Sequence, residues 1–271
     1  MNNTPSNWTP DTLWQQLRQE ANHIAATEPV LTSYVHNALL HHATLPEAVS
    51  FHLAQLLDSN TTPALLLRGV FLDILLQTTH IIEQLCQDLV ACYERDAACD
   101  HYLMPLLYFK GFQALQTYRL AHALWLQDRK TLALHIQHRM SEVFCVDIHP
   151  AARIGAGILV DHATGVVIGE TAVIEDNVSM LHAVTLGGSG TQHTGARHPV
   201  IRHGVLLSTG AKVLGPVDIG AGAKIGAGSV VLQNVPAHST AAGVPARIIG
   251  APTVDEPARD MDHQLGDTPD D

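Results

Sequence analysis

From Val200 to Val231 the chain reads VIRHGVLLSTGAKVLGPVDIGAGAKIGAGSVV. An aliphatic residue falls on every sixth position, at Ile201, Leu207, Val213, Ile219, Ile225 and Val231. The same beat runs through Ile168, Ile174, Met180 and Leu186, and Ile154 and Val160 begin an earlier run offset by two residues. Gly often follows the aliphatic position, as in Ile219-Gly220 and Ile225-Gly226. Small or β-branched residues (Val205, Ala211, Val217, Ala223, Ser229) sit two places before it. A helix repeats every 3.6 residues and a half-buried strand every 2. A six-residue beat from Ile148 to Val235 is that of a hexapeptide solenoid, in which three strand-and-turn units close one triangular coil. The aliphatic side chains then stack inside a prism, and Gly takes turns where a Cβ would clash. One coil cannot bury its own core, so coils must stack and an end must be covered. The alternative, a Gly-rich β-domain with accidental spacing, has to explain too many units in phase.

Working outward, Pro10 to Phe144 reads as helices. Thr9-Pro10 and Thr62-Pro63 place a capping residue before a proline at the first helical position. Leu13, Leu17 and Ile24, then Ile81, Leu85 and Leu89, give helical stripes, and Tyr108 to Leu126 is long and amphipathic. After Pro252 the chain is acidic, with Asp255, Glu256, Asp260, Asp262, Asp267, Asp270 and Asp271 among few apolar residues, which predicts disorder. The expected organisation is therefore α+β: an all-helical oligomerisation domain over residues 1–145, a left-handed parallel β-helix over 146–250, and a disordered tail over 251–271.

The whole chain has 271 residues, 46% hydrophobic and 5% aromatic, as suits a narrow prism filled by Val, Ile, Leu and Ala. A net charge of -11 argues against a nucleic-acid surface, while leaving room for a local basic pocket. The polar run Asn2 to Asn7 lacks the pattern of a signal peptide. The apolar run from Ala64 to Leu76 is broken by Arg68 and Asp73, so no membrane span is expected. Cys86, Cys92, Cys99 and Cys145 form no CxxC pair and read as reduced thiols of a cytoplasmic protein. His135 and His138 lie one helical turn apart but lack a third ligand, so no metal site is expected.

Three places carry chemistry. Asp147 (in VDIHP) and His162 (in VDHATG) are polar residues in strands otherwise apolar or small. Fifteen residues apart, with about eighteen per coil, they are expected on neighbouring coils, close enough to touch. A carboxylate beside an imidazole fixes its tautomer and makes a general base for a hydroxyl; the same pair could equally be a structural hydrogen bond. After Leu186 the beat breaks. Gly188 to Pro199 (GSGTQHTGARHP) is too long for a prism corner and must protrude, carrying Arg197 and His198. An arginine there can grip a carboxylate with its planar fork, or the loop is simply solvated. The third place, Arg95 to Asp100, interrupts two helices with two carboxylates and also reads as an ordinary loop.

At LLYFKGFQALQTYRLAHALW, VDIHPAARIGAGILVDHATGVVIGETAVI, VTLGG, RHP and GAKIGAGSVVLQNVPAHSTAAGVPARIIG the sequence resembles the bacterial serine O-acetyltransferases. The resemblance is strong over about residues 88–250 and looser before. It implies acetyl transfer from acetyl-CoA to the hydroxyl of L-serine, giving O-acetylserine, the first step of cysteine synthesis from serine. It implies His162 as base and Asp147 as the carboxylate that orients it. Asp96 and Asp161 would hold the serine amino group, and Arg197 and His198 its carboxylate. The site would lie between the prisms of a trimer, with helical domains pairing trimers into a hexamer. Backbone N–H groups near Gly187 and Gly188 are placed to meet the oxyanion. CoA would follow the groove between prisms, its pantetheine near Thr209 and Ala227 and its phosphates near Lys224 and Arg247. Cysteine, a mimic of serine, is the expected feedback inhibitor.

The sequence departs from the family at Ala196, where an acid usually precedes the RHP motif, and at Leu206-Leu207-Ser208-Thr209, where Ile-Gly-Ala is more typical. It ends Pro269-Asp270-Asp271 rather than in isoleucine, so docking of the tail into O-acetylserine sulfhydrylase is not expected. Cys145 sits near Asp147 without a basic partner, which disfavours an acyl-cysteine route. The competing functions are the same scaffold acting on homoserine or a sugar, and a non-catalytic assembly protein.

Overall fold

Each aliphatic residue of the six-residue beat points into a prism. Ile201, Leu207, Val213, Ile219 and Ile225 are fully buried, and so are Val205, Ala211, Ala223 and Ser229 from the small positions. The computed structural model describes residues 8–190 and 195–265. Fifteen short strands among them, numbered in chain order, form three faces. The first face stacks β1 (Val146–Ile148), β4 (Val166–Ile168), β7 (Thr185–Gly187), β10 (Lys212–Leu214) and β13 (Val230–Val231). The second stacks β2 (Arg153–Ile154), β5 (Val173–Ile174), β8 (Val200–Ile201) and β11 (Asp218–Ile219). The third stacks β3 (Leu159–Val160), β6 (Ser179–Met180), β9 (Leu206–Leu207), β12 (Lys224–Ile225), β14 (Thr240–Gly243) and β15 (Ala246–Gly250).

All pairings are parallel except the terminal hairpin β14–β15. Register shows how the coil length varies. Asp147 pairs with Val167, Val167 with Thr185, Thr185 with Lys212 and Lys212 with Val230. The first coil is two residues longer than the eighteen-residue norm, and the third is longer by the looped-out segment after Gly188. Residues 191–194 of that loop, the Asn2–Asn7 run and the tail residues Asp267, Asp270 and Asp271 lie outside the described residues.

The helices cover the open end of the prism. They are α1 (Pro10–Thr27), a one-turn α2 (Thr32–Val35), α3 (Leu45–Leu56), α4 (Ala64–Gln77), α5 (His80–Arg95), α6 (Leu103–Tyr108), α7 (Lys110–Leu126) and α8 (Lys130–Phe144). Thr9 caps α1 with a reciprocal bond to Thr12. Thr62 does not cap α4 as its Thr-Pro sequence suggested. Asp58 Oδ1 takes the Ala64 N–H at 2.6 Å instead, and the Thr62 hydroxyl pairs with His135 Nε2 at 2.9 Å. No helix among the described residues is long and apolar enough to cross a membrane.

Helices and solenoid are locked together by a buried charge pair. Arg119 of α7 bonds Asp88 of α5 through Nε at 2.9 Å and Nη2 at 2.7 Å, and reaches Gly155 O at 2.7 Å. The other Asp88 oxygen accepts the Ile158 N–H at 2.9 Å. Burial pushes the Asp88 carboxyl up, while Arg119, by charge and hydrogen bond, and the hydrogen bonds from Ile158 and Gln116 pull it back. Tyr118 Oη donates to Ala152 O at 2.5 Å. Gly111 lets α7 lie against β3, because a Cβ there would sit 1.9 Å from Val160 O.

The expected disorder after Pro252 is not what residues 253–265 show. They lie on the third face and form one helical turn, α9 (Pro257–Asp260). Ala258 is fully buried, donating N–H to Gly204 O at 3.2 Å and accepting from Ser179 Oγ at 2.7 Å. Ser208 Oγ meets His263 Nδ1 at 3.1 Å, and the ammonium of Lys224 is held by Asp262 Oδ2 at 3.3 Å and by Gln264 O. Counting acids missed their partner: a buried lysine on the solenoid face holds part of this acidic segment in place.

Candidate active site

The corner that joins the third face to the first, here the first corner, presents His162. His162 and Ala163 have φ of 55° and 59°, in the left-handed region that side chains other than glycine seldom adopt. The turn is tied by Ala163 N to Asp161 O at 2.6 Å and Thr164 N to His162 O at 2.7 Å. This geometry swings the imidazole off the prism and leaves its side chain 72% exposed. Its Nε2 stands 3.6 Å from Asp161 Oδ2, and its ring meets that of His182 edge-on with centroids 5.8 Å apart. Burial raises the Asp161 pKa; His162 opposes the rise and the nearby charge of Asp96 adds to it. Asp96 caps α5, its Oδ1 accepting from Ala98 N at 2.8 Å, so the helical domain delivers this second carboxylate to the corner.

The corner that joins the first face to the second, here the second corner, carries the other predicted residues. Arg197 Nη2 bonds Glu170 Oε2 at 2.7 Å, and that bond holds the Glu170 carboxyl below its ordinary range. Glu170 thereby supplies the acid that Ala196 does not. The Thr171 hydroxyl accepts the backbone N–H groups of Arg197 at 3.0 Å and His198 at 3.1 Å. His198 is 7% exposed and its Nδ1 faces the Thr171 N–H at 3.2 Å and Thr171 Oγ1 at 2.8 Å. An Nδ1 that accepts leaves the proton on Nε2. Burial first, then the Arg197 charge, lower the His198 pKa, so the ring is neutral near pH 7 and its Nε2–H is a fixed donor. Gly169 is required beneath it, since a Cβ would lie 2.1 Å from the ring. Gly188 stands beside the same Nε2, and His149, its pKa lowered by burial, shares the corner with Asp147, Glu170 and Arg197.

Within one chain Asp147 and His162 do not meet, contrary to the expectation from their spacing. Asp147 lies in mid-strand on β1, its Oδ1 accepting from Gln137 Nε2 at 2.6 Å. His162 lies at a corner, with Asp161 as its nearest carboxylate. The coil-to-coil alignment runs instead from Cys145 to Gly165, whose N–H donates to Cys145 O at 2.8 Å. The predicted residues thus fall into two sets: Asp96, Asp161 and His162 at the first corner, Arg197, His198, Gly187 and Gly188 at or near the second, with Asp147 between. Thr209 and Ala227 continue the first corner upward. Lys224, 3% exposed, is engaged by the tail, and Arg247 is exposed on β15 at the far end. Sequence reading missed His182, His149 and Glu170. A signal existed for His182: it follows His162 at the same interval by which Met180 pairs with Val160. Among the described residues no cluster of three His, Cys, Asp or Glu side chains could hold a metal.

A helix-capped hexapeptide prism with an outward histidine on one corner and an arginine–histidine grip on another defines a hexapeptide-repeat transferase. The six-repeat bacterial transferase hexapeptide family model matches residues 198–233, and the family model for the serine acetyltransferase N-terminal region matches residues 13–117. Serine acetyltransferase of Escherichia coli K12 is 52% identical over 253 residues, spanning 93% of this chain and 92% of that protein. The chain belongs to the serine acetyltransferase family. The crystal structure of the Vibrio cholerae O1 enzyme superposes with a TM-score of 0.93 at 50% identity, covering 95% of this chain and 99% of that one. Solved serine acetyltransferases in complex with cysteine (48% identical, TM-score 0.92, 94% and 99% of the two chains) and with CoA (49%, 0.86, 89% and 100%) match as well. So does the Neisseria gonorrhoeae enzyme in complex with serine (48%, 0.86, 91% and 100%).

Proposed function

We propose that this chain transfers the acetyl group of acetyl-CoA to the hydroxyl of L-serine, at a site completed between two copies of itself. The observation that carries this is the split of the functional residues between two corners of one prism. A base without a carboxylate grip stands at one, and a grip without a base at the other. Packing prisms about a threefold axis, first corner to second, brings the two sets together. Relatives solved with serine, with CoA and with cysteine support the ligand set.

In this reading Asp96 and Asp161 take the serine ammonium, while Arg197 and the fixed His198 Nε2–H take its carboxylate. His162 accepts the hydroxyl proton as the oxygen attacks the thioester carbon, and Asp147 of the neighbouring chain backs the imidazolium. A backbone N–H near Gly187 and Gly188 meets the oxyanion. The C–S bond then breaks and the proton on His162 passes to the CoA thiolate, so no covalent enzyme intermediate is needed. The pantetheine arm runs along Thr209 and Ala227. Lys224 and Arg247 serve the phosphates, Lys224 once the tail releases it. Cysteine presents the same amino and carboxylate groups as serine and competes for the same contacts. The exposed apolar side chains Val30, Leu65, Leu66 and Leu76 on the helical domain suit the pairing of two trimers. A cytoplasmic location fits the four free thiols.

A thiol-release assay with acetyl-CoA and a panel of L-serine, L-homoserine and a sugar alcohol tests the reading. Release with L-serine far above the others is the expected result. Equal release from wild type and His162→Ala would instead indicate a scaffold.

A further inference from the structure

One contact at the covered end of the prism belongs to neither corner. β1 is the edge strand of the first face, and α8 packs against it. Val146 and Ile148 turn into the core, so Asp147 between them faces outward. Its neighbour in β4 is Val167, which offers it no polar group. The partner comes from α8 instead. Ala133, Ile136, Met140 and Phe144 bury one side of that helix, and Gln137, at the edge of this stripe, reaches Asp147 Oδ1 with Nε2 at 2.6 Å. An ionised carboxylate only accepts, so the amide presents its N–H donors to it. No other hydrogen bond to this carboxylate forms among the described residues, which leaves Oδ2 open. The cations of α8 are engaged elsewhere: Arg139 with Glu142 and with Asp58 O at 2.9 Å, Lys130 with Asp128 at 3.3 Å. His149, one residue past the strand, is the titratable group that feels the Asp147 charge.

We propose that Gln137 is a positioning residue of the acetyl transfer: its amide N–H fixes the Asp147 carboxylate and leaves its charge intact for the imidazolium that forms on His162 of the neighbouring chain. The inference rests on the acetyltransferase reading. A free aspartate side chain turns about two bonds, and that freedom would have to be lost as the proton arrives on His162. Here it is lost on folding, so the charge stands in place before the reaction begins. The amide is suited to this because it is neutral. Gln137→Lys would hold the carboxylate as firmly but pair with its charge, and the imidazolium would then meet a neutralised partner. In this role Gln137 exchanges no proton; it acts through Asp147 alone.

A double-mutant cycle separates this role from a merely structural one. Wild type, Gln137→Met, Asp147→Asn and the double variant are compared in thiol release from acetyl-CoA with L-serine, each beside a melting curve. Methionine matches glutamine in length and removes the donor. Gln137→Met is expected to lower kcat by about 5- to 20-fold and to leave the KM of both substrates within about twofold. Added to Asp147→Asn, the same change is expected to cost less than about twofold, because the charge it positions is already gone. Gln137→Lys, which keeps a donor, is expected to lose at least about threefold in kcat. Gln137→Leu replaces Gln137→Met should the latter melt early. A Gln137→Met variant within about twofold of wild type, an equal penalty in both backgrounds, or a Gln137→Lys variant as active as wild type overturns the proposal. Should wild type release no thiol with serine, or Asp147→Asn turn over as wild type does, it is the underlying reading that fails, and the proposal with it. Wild type active, Asp147→Asn impaired and Gln137→Met unaffected removes this inference alone.

Discussion

The two working corners of the prism are built on opposite plans. At the second corner the polar groups are paired within the chain: Arg197 has Glu170, His198 has Thr171, and Gly169 leaves room for the ring. At the first, His162 projects from a left-handed turn and is largely exposed. On the proposed reading the second corner is a receptor whose geometry is set before any ligand arrives, which lowers the ordering cost of binding. The other holds the proposed base in a left-handed turn and leaves it largely exposed, where on the proposed reading substrate and a neighbouring chain would surround it. On the proposed reading, binding and chemistry are separated along one chain and would be rejoined by assembly.

Mutations break this comparison in a definite order. His162→Ala is expected to lower kcat/KM by at least about 10²–10⁴-fold, with thermal melting and oligomer size unchanged, since the exposed ring supports no core. Steady-state kinetics beside a melting curve checks both halves. Asp88→Asn acts on neither corner but on the clamp between helices and solenoid. It leaves Arg119 buried without its charge partner and is expected to cost about 3–5 kcal/mol of stability, read by denaturant unfolding. Gly169→Ala strikes the receptor corner. Its Cβ would overlap the His198 ring, so the KM for serine is expected to rise by about tenfold or more with a smaller change in kcat.

The smallest effect belongs to Glu170→Gln, which loosens Arg197 at a half-exposed site; a serine KM higher by about two- to fivefold is expected. The sign with pH follows from the lowered Glu170 pKa. The contribution of its bond to Arg197 is complete above the ordinary glutamate value of 4.5 and is lost as pH falls through the lower folded value. Wild type and the Glu170→Gln variant should therefore differ in serine KM at pH 7 and converge in acid, which a KM series with pH measures.

The six-residue beat in the sequence names the residues that fill the prism, because a stacked core repeats once per unit. His162, Arg197 and His198 were marked as candidates where they break the repeat, Asp96 as a carboxylate between two helices, and Asp161 through family resemblance alone. Their division between corners was not legible. Coil length varies, so fifteen residues of separation between Asp147 and His162 does not fix which way each side chain turns. Glu170 was hidden because the acid that pairs with Arg197 comes from the coil below rather than from the neighbouring position 196. The tail misled for a related reason: its acids were counted without the buried Lys224 that holds Asp262.

Subunit complementation tests the shared site most directly. His162→Ala and Arg197→Ala, each inactive alone, are co-expressed, the mixed oligomers isolated, and thiol release from acetyl-CoA and L-serine measured. If each site takes its first corner from one chain and its second from the next, random mixing leaves about a quarter of the sites intact, and about a quarter of wild-type activity returns. Mixed oligomers no more active than either parent would mean that both corners of a single chain serve one site, which contradicts the account.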